Sequence, residues 1–164
     1  MKYLSTLCFA FVCLLSVVSC KETDSKAGAP KKYALIWADE FDTPGLPDAS
    51  KWFLETDAPE NGAWYNNELQ HYTDRIDNAE VSEGTLKIIA KKEFYTHKGS
   101  TQEYTSARFN SKLNFTYGKV VVRAKLPKMQ GTWPAIWALG TNLPEVGWPK
   151  CGEIDVMEQL FEDH

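Results

Sequence analysis

Hydrophobic and polar residues alternate with a period of two in several short stretches of the chain. In residues 119–126 one parity is entirely apolar, at Val120, Val122, Ala124 and Leu126, and the other holds three basic residues and Val121. Residues 85–91 show the same alternation, and in residues 133–139 one parity holds Trp133, Ala135, Trp137 and Leu139. Because successive side chains of a strand point to opposite faces, these stretches are predicted to be β-strands.

Turn-forming residues separate the predicted strands. They lie at Pro44–Gly45, Glu83–Gly84, Lys98–Gly99, Tyr117–Gly118 and Gly131. No stretch combines a helical hydrophobic stripe with capping residues. Short alternating strands with turns between them predict an all-β fold, an antiparallel sandwich or barrel.

The N-terminal segment is predicted to lie outside this fold. An apolar run over residues 4–18 follows Lys2 and indicates a signal peptide, residues 1–19. The sequence VVSC at residues 17–20 resembles a bacterial lipobox, which implies a lipid on Cys20. The alternative is an ordinary signal peptide with a chance cysteine. We expect residues 20–32 to be a tether, and the protein to be secreted and lipid-anchored, facing the periplasm or the cell exterior.

Composition narrows the classes of function. The formal charge of −4 argues against a nucleic-acid partner, which would need a basic patch. Aromatic residues make up 13% of the chain, so they need an explanation. Of the four cysteines, Cys8 and Cys13 fall in the signal peptide and Cys20 at the anchor. Cys151 is then left without a disulfide partner.

The most informative segment for chemistry is GEIDVME, residues 152–158. On a regular strand Glu153 and Asp155 share a face, whereas Glu158 points away. A β-bulge around Val156 and Met157 would return Glu158 to that face. Two glutamates leaning together could approach to about 5–5.5 Å, as in retaining glycosidases. From the triplet alone, a solvated acidic strand edge or a calcium site stays open.

The motifs of the chain resemble glycoside hydrolase family sixteen, the endo-β-glucanases with a concanavalin-like β-jelly roll. The resemblance starts from CGEIDVME at residues 151–158. It extends in order through residues 37–42, 66–72, 104–108, 117–127, 131–137 and 147–149. It implies a jelly-roll sandwich in which residues 37–42 form the opening strand and residues 104–108 and 117–127 contribute further strands.

This resemblance implies a role for each candidate residue. Glu153 would be the nucleophile, Glu158 the general acid/base, and Asp155 the residue that orients Glu153. The substrate would be a β-1,3-glucan such as laminarin, or a mixed-linkage β-1,3-1,4-glucan. Polar contacts to the sugar would come from Asn67, Glu68 and Arg108, and stacking from Trp133, Trp137 and Trp148. Core packing is the alternative role of each tryptophan.

The resemblance also bears on cofactors and completeness. No cofactor is required, but a structural calcium is allowed, with Glu40 and the backbone of Gly84 as ligands. Jelly-roll domains commonly run to roughly 200–250 residues, so residues 33–164 predict a catalytic domain that is incomplete at its C-terminus. We expect a monomer that acts on β-glucan and meets the membrane only through its lipid. The alternatives are a non-catalytic glycan-binding lipoprotein and an inactive fragment.

Overall fold

The computed structural model describes residues 33–160. The signal peptide, the anchor at Cys20 and the tether lie outside these residues and stay predictions. Within the described part the strands are β1 (Trp52–Leu54), β2 (Gln70–Tyr72), β3 (Ala79–Ser82), β4 (Thr85–Ile88), β5 (Lys91–His97), β6 (Ser100–Ser106), β7 (Phe109–Ser111), β8 (Ala135–Leu139) and β9 (Glu153–Glu158). A 3₁₀ turn, Tyr65–Asn67, and a one-turn helix α1, Leu143–Val146, complete them. The all-β prediction is confirmed.

The strands pair into several small sheets. Strands β1 and β7, β3 and β4, and β8 and β9 form antiparallel pairs, and β2, β6 and β5 form a three-stranded sheet. Within that sheet β2 runs parallel to β6, which differs from the purely antiparallel prediction. Residues 73–99 provide the long crossover that a parallel pair requires. Between residues 33 and 160, no helix has the length and apolarity to span a membrane.

Two tight hairpins follow the predicted turn positions. Glu83 and Gly84, which join β3 to β4, have φ angles of 54° and 65°. Lys98 and Gly99, which join β5 to β6, have φ angles of 47° and 84°. Positive φ at both central residues is the requirement of a two-residue type I′ turn, whose twist matches that of the flanking strands. Local turn chemistry therefore sets the register of both hairpins.

The prediction of a strand at residues 119–126 is wrong. No residue of this segment is assigned to a strand, although its sequence alternates. Val121 is 76% exposed, and Val120 and Val122 are about half exposed, at 48% and 51%. A strand exists only where a neighbour completes its ladder of hydrogen bonds, and no other segment of residues 33–160 pairs with this one. The opening strand expected at residues 37–42 is unpaired for the same reason.

Buried polar side chains tie β6 to the segments around it. The Asn78 amide donates to Thr105 Oγ1 and to the Ile89 carbonyl, both at 2.9 Å. Thr73 Oγ1 donates to Asn78 Oδ1 at 2.5 Å. Since buried polar groups are costly unless they are paired, this network fixes the position of β6. The network therefore also fixes the start of the segment after β6, which carries Arg108.

Candidate active site

The pairing of β9 with β8 determines where the acidic side chains point. Each acidic residue of β9 lies opposite every second residue of β8: Glu153 opposite Leu139, Asp155 opposite Trp137, and Glu158 opposite Ala135. The register shifts between Ile136 and Trp137, because Val156 is one residue more than β8 can match. This is the β-bulge that the sequence predicts.

The bulge places three carboxylates on one face of the hairpin. Residues directly opposite each other in an antiparallel pair share a face. Ala135, Trp137 and Leu139 alternate along β8 and so share one face, which Glu153, Asp155 and Glu158 must also share. All three acidic residues are exposed. The predicted catalytic triplet is therefore assembled on the face that carries Trp137.

Two tryptophans donate hydrogen bonds to the outer members of the triplet. Trp133 Nε1 donates to Glu158 Oε1 at 2.8 Å, and Trp148 Nε1 donates to Glu153 Oε2 at 2.7 Å. Both rings remain accessible, with Trp133 40% and Trp148 67% exposed. The sequence predicts these rings as surfaces for a sugar, with core packing as the alternative. The structure adds a polar contact from each ring to a carboxylate.

Asp155 is electrostatically coupled to its neighbours. Its pKa is raised above the ordinary value, first by partial desolvation and then by the negative charges of Glu153 and Glu158. Like charges within a few ångströms oppose each other's ionisation. The acidic face can therefore hold a proton more readily than an isolated carboxylate would.

The loop between β8 and β9 brings Trp148 to this face. The Gly140 N–H donates to the carbonyl of Gly152 at 3.2 Å, which closes the base of the loop. A Cβ on Gly140 would lie 2.1 Å from the carbonyl oxygen of Cys151, so only glycine fits there. Cys151 is a free thiol and half-buried.

Arg108 links the first half of the chain to this hairpin. Its guanidinium carbon lies 4.8 Å from the centre of the Trp137 ring and 5.4 Å from that of Trp64. Its Nε forms an ion pair with Glu55 Oε2 at 2.7 Å. Arg108 therefore covers one face of Trp137 and is held by protein groups. Neither Glu55 nor Trp64 stands in a motif that indicates these contacts, so the sequence alone does not place them beside Arg108.

Glu68 and Asn67 lie at the segment before β2. The half-buried Glu68 carboxylate accepts hydrogen bonds from Tyr72 Oη and Gln70 Nε2, each at 2.7 Å. Burial, and then the Glu68 charge, raise the pKa of Tyr72 well above its usual range. Tyr72 packs edge-on against Trp64, with ring centres 4.6 Å apart. Glu68 thus belongs to a contact chain that reaches Arg108, whereas Asn67 is exposed.

The structure gives less support to the predicted calcium ligands, Glu40 and Gly84, than to the acidic triplet. Glu40 is exposed, and Gly84 lies in the turn between β3 and β4. Among residues 33–160, no three acidic, histidine or cysteine side chains are grouped to hold a metal ion. Calcium takes six to eight oxygen ligands, and these two residues do not supply such a set. Calcium at Glu40 and Gly84 stays a prediction.

Comparison with known proteins identifies relatives for most of the chain. Residues 51–164 match the model of the XgeA-like, catalytic GH16 domain. A β-glucanase of Rhodothermus marinus is 45% identical over 155 residues, which cover 90% of this chain and 51% of that protein.

Two solved structures share the fold. A LamA variant of Z. galactanivorans, crystallised with laminaritriose and laminaritetraose, is 56% identical with a TM-score of 0.75 and covers 78% of this chain and 56% of its own. The laminarinase catalytic domain of Thermotoga maritima is 47% identical with a TM-score of 0.70 and covers 79% and 53%. The chain therefore spans about half the length of these relatives.

Proposed function

The chain belongs to glycoside hydrolase family 16, and from this premise we propose that the protein hydrolyses β-1,3-glucan or mixed-linkage β-1,3-1,4-glucan within the polymer, by a retaining mechanism. The observation that carries the proposal is the bulged register of β9. It sets Glu153, Asp155 and Glu158 on one face with Trp137. Laminarin oligosaccharides bound to the Z. galactanivorans relative support the choice of glucan.

In the first step Glu153 attacks the anomeric carbon of the sugar. The glycosidic C–O bond breaks, and the proton of Glu158 passes to the leaving oxygen. A glycosyl ester forms on Glu153, and Glu158 is left as a carboxylate. The two glutamates are the outer members of the triplet and can approach a bound glycosidic bond from the same face of the hairpin.

In the second step a water molecule replaces the departed sugar. Glu158 takes a proton from the water, whose oxygen attacks the anomeric carbon. The ester bond to Glu153 breaks, which restores the carboxylate of Glu153 and the protonated form of Glu158. Two inversions give overall retention of the β configuration.

Asp155 supports the nucleophile rather than attacking the sugar. It lies between the two glutamates in sequence, and its raised pKa favours a shared proton on this face. A protonated Asp155 can donate a hydrogen bond to the Glu153 carboxylate, whereas an ionised one only repels it. The exposed rings of Trp133 and Trp148 flank the carboxylates and offer apolar surfaces to sugar rings.

The test measures reducing ends released from laminarin, lichenan, agarose and xyloglucan by the protein expressed from the complete reading frame that contains this chain. We expect cleavage of laminarin or lichenan with β-anomeric products in early ¹H NMR spectra. Glu153→Gln and Glu158→Gln should each lower kcat by roughly 10²–10⁴-fold, while Glu103→Gln, an exposed residue of β6, should not.

Three results would count against this proposal. Normal cleavage by Glu153→Gln would contradict the nucleophile assignment. Early α-anomeric products would contradict the retaining mechanism. Binding of laminarin without release of reducing ends would favour the alternative, a glycan-binding protein.

A further inference from the structure

We propose that Trp133 and Trp148 are positioning residues for the two catalytic glutamates, each holding one carboxyl oxygen so that the other one reacts. The inference rests on the proposed function, because it assigns roles within the same site. It goes beyond sugar stacking, since it depends on the indole N–H rather than on the ring surface. The two contacts are those of Trp133 with Glu158 and Trp148 with Glu153.

The direction of each hydrogen bond determines which oxygen is free. An indole N–H can only donate, so Glu158 Oε1 accepts from Trp133. In the acid form of Glu158 this contact favours the proton on Oε2, because the carbonyl oxygen is the better acceptor, and Oε2 can face the leaving group. Likewise Trp148 engages Glu153 Oε2, which leaves Glu153 Oε1 for the attack on the anomeric carbon.

These indoles are the only side-chain donors to the two glutamates within residues 33–160. Glu153 and Glu158 form no ion pair in that part of the chain. Each carboxylate is exposed at the end of a flexible side chain, so without a fixed donor it would sample several rotamers. One indole thus sets the orientation of each reacting group.

Trp137 provides a matched comparison. It lies on the same face, directly opposite Asp155, but its ring packs against the Arg108 guanidinium. Replacing the Trp137 ring by the smaller ring of Phe should therefore alter sugar binding without altering the orientation of either glutamate.

The first test needs no activity. In the ¹⁵N-labelled protein from the complete reading frame, the indole N–H signals of Trp133 and Trp148 are assigned by single Trp→Phe variants. Glu158→Gln should shift the Trp133 signal and leave that of Trp148, and Glu153→Gln should do the reverse. Indole signals that respond to neither substitution would overturn the inference, whether or not the protein cleaves glucan.

The second test separates positioning from stacking by kinetics. Trp133→Phe should lower kcat on laminarin roughly 10- to 100-fold, and the smaller ring should also raise KM. The burst of dinitrophenolate from a 2,4-dinitrophenyl β-laminaribioside should slow far less, because that leaving group needs no proton. Trp148→Phe should slow both reactions alike, since the nucleophile acts on either substrate.

Two further variants are the controls. Benzothienylalanine at position 133 keeps the two-ring surface without the N–H, so it should lower kcat as Trp133→Phe does while KM stays near that of the wild type. Trp137→Phe should raise KM for both substrates by the same factor. Equal losses on both substrates for Trp133→Phe, or full activity with benzothienylalanine, would overturn the positioning role. A wild-type protein that cleaves no β-glucan would overturn the proposed function instead, and the indole signals would still decide whether the contacts exist.

Discussion

At the scale of single residues, the site is a set of acids whose properties depend on their nearest neighbours. Within residues 33–160 the Asp155 carboxylate accepts no hydrogen bond, so its ionisation responds to desolvation and to the two glutamates. Because its pKa is raised in the folded protein, the folded state binds this proton more tightly than the unfolded chain does. Ionised Asp155 therefore costs stability, and the cost sets in as the pH rises from its ordinary pKa through the raised one.

Removing one neighbouring charge tests this coupling. Glu153→Gln should lower the pKa of Asp155 towards the ordinary value of about 3.9, because one source of repulsion is lost. A ¹³C carboxyl NMR titration of the wild type and the variant measures the change. Glu145→Gln, in exposed α1, is the control and should leave the titration of Asp155 as it is. An unchanged midpoint in Glu153→Gln would show that the two carboxylates do not interact.

The sequence predicted the identity of the acidic residues but not all of their partners. Glu153, Asp155 and Glu158 stand in one motif, so their parity and the need for a bulge follow from local spacing. Arg108 lies near two rings and pairs with Glu55, and its expected contact with sugar hydroxyls stays a prediction. That arrangement joins positions far apart in the chain, which no local pattern records.

Among the elements, the β8–β9 hairpin and its loop carry the residues of the candidate active site. The loop between Gly140 and Gly152 is closed by a backbone hydrogen bond and by the close approach of Gly140 to Cys151. This closure fixes where Trp148 leaves the loop relative to Glu153. A change at the base of the loop should therefore affect the site without touching a catalytic residue.

Gly140→Ala tests this dependence. Its Cβ would lie 2.1 Å from the Cys151 carbonyl oxygen, so backbone must move. We expect a loss of about 1–3 kcal/mol in the free energy of unfolding together with lower activity, measured by urea denaturation and reducing-sugar release. Gly118→Ala is the matched control, because a Cβ there meets nothing within 4 Å. Equal stability of the two variants would contradict the packing argument.

Across the whole molecule, many apolar side chains of residues 33–160 are exposed to solvent, both in strands and outside them. Ile154 and Val156 of β9 are 69% and 51% exposed, and Val121 is 76% exposed. Sheet edges and apolar patches of this kind pair readily with other chains. This surface favours association of the 164-residue chain when it is expressed alone, whereas the monomer expected from the sequence stays a prediction.

We predict that this 164-residue chain self-associates in solution. Size-exclusion chromatography with light scattering should show species larger than a monomer that grow with protein concentration, and the dye ANS should bind and fluoresce. Val121→Lys should reduce both signals, because a charge within an exposed apolar segment opposes its association with other chains. A monodisperse monomer without ANS fluorescence would refute the prediction.

Features that depend on neighbours a few residues apart follow from the amino-acid sequence alone. The alternation of β8, the two type I′ turns and the bulge in β9 all follow from local spacing and backbone preferences. Only the tertiary structure decided which segments meet. It left residues 119–126 unpaired despite their clean alternation, and it brought Trp133 to Glu158 and Arg108 to Trp137. A strand needs a neighbouring strand to pair with, and a long-range contact needs a second side chain. The positions of both are fixed by the packing of the whole chain, which no local pattern contains.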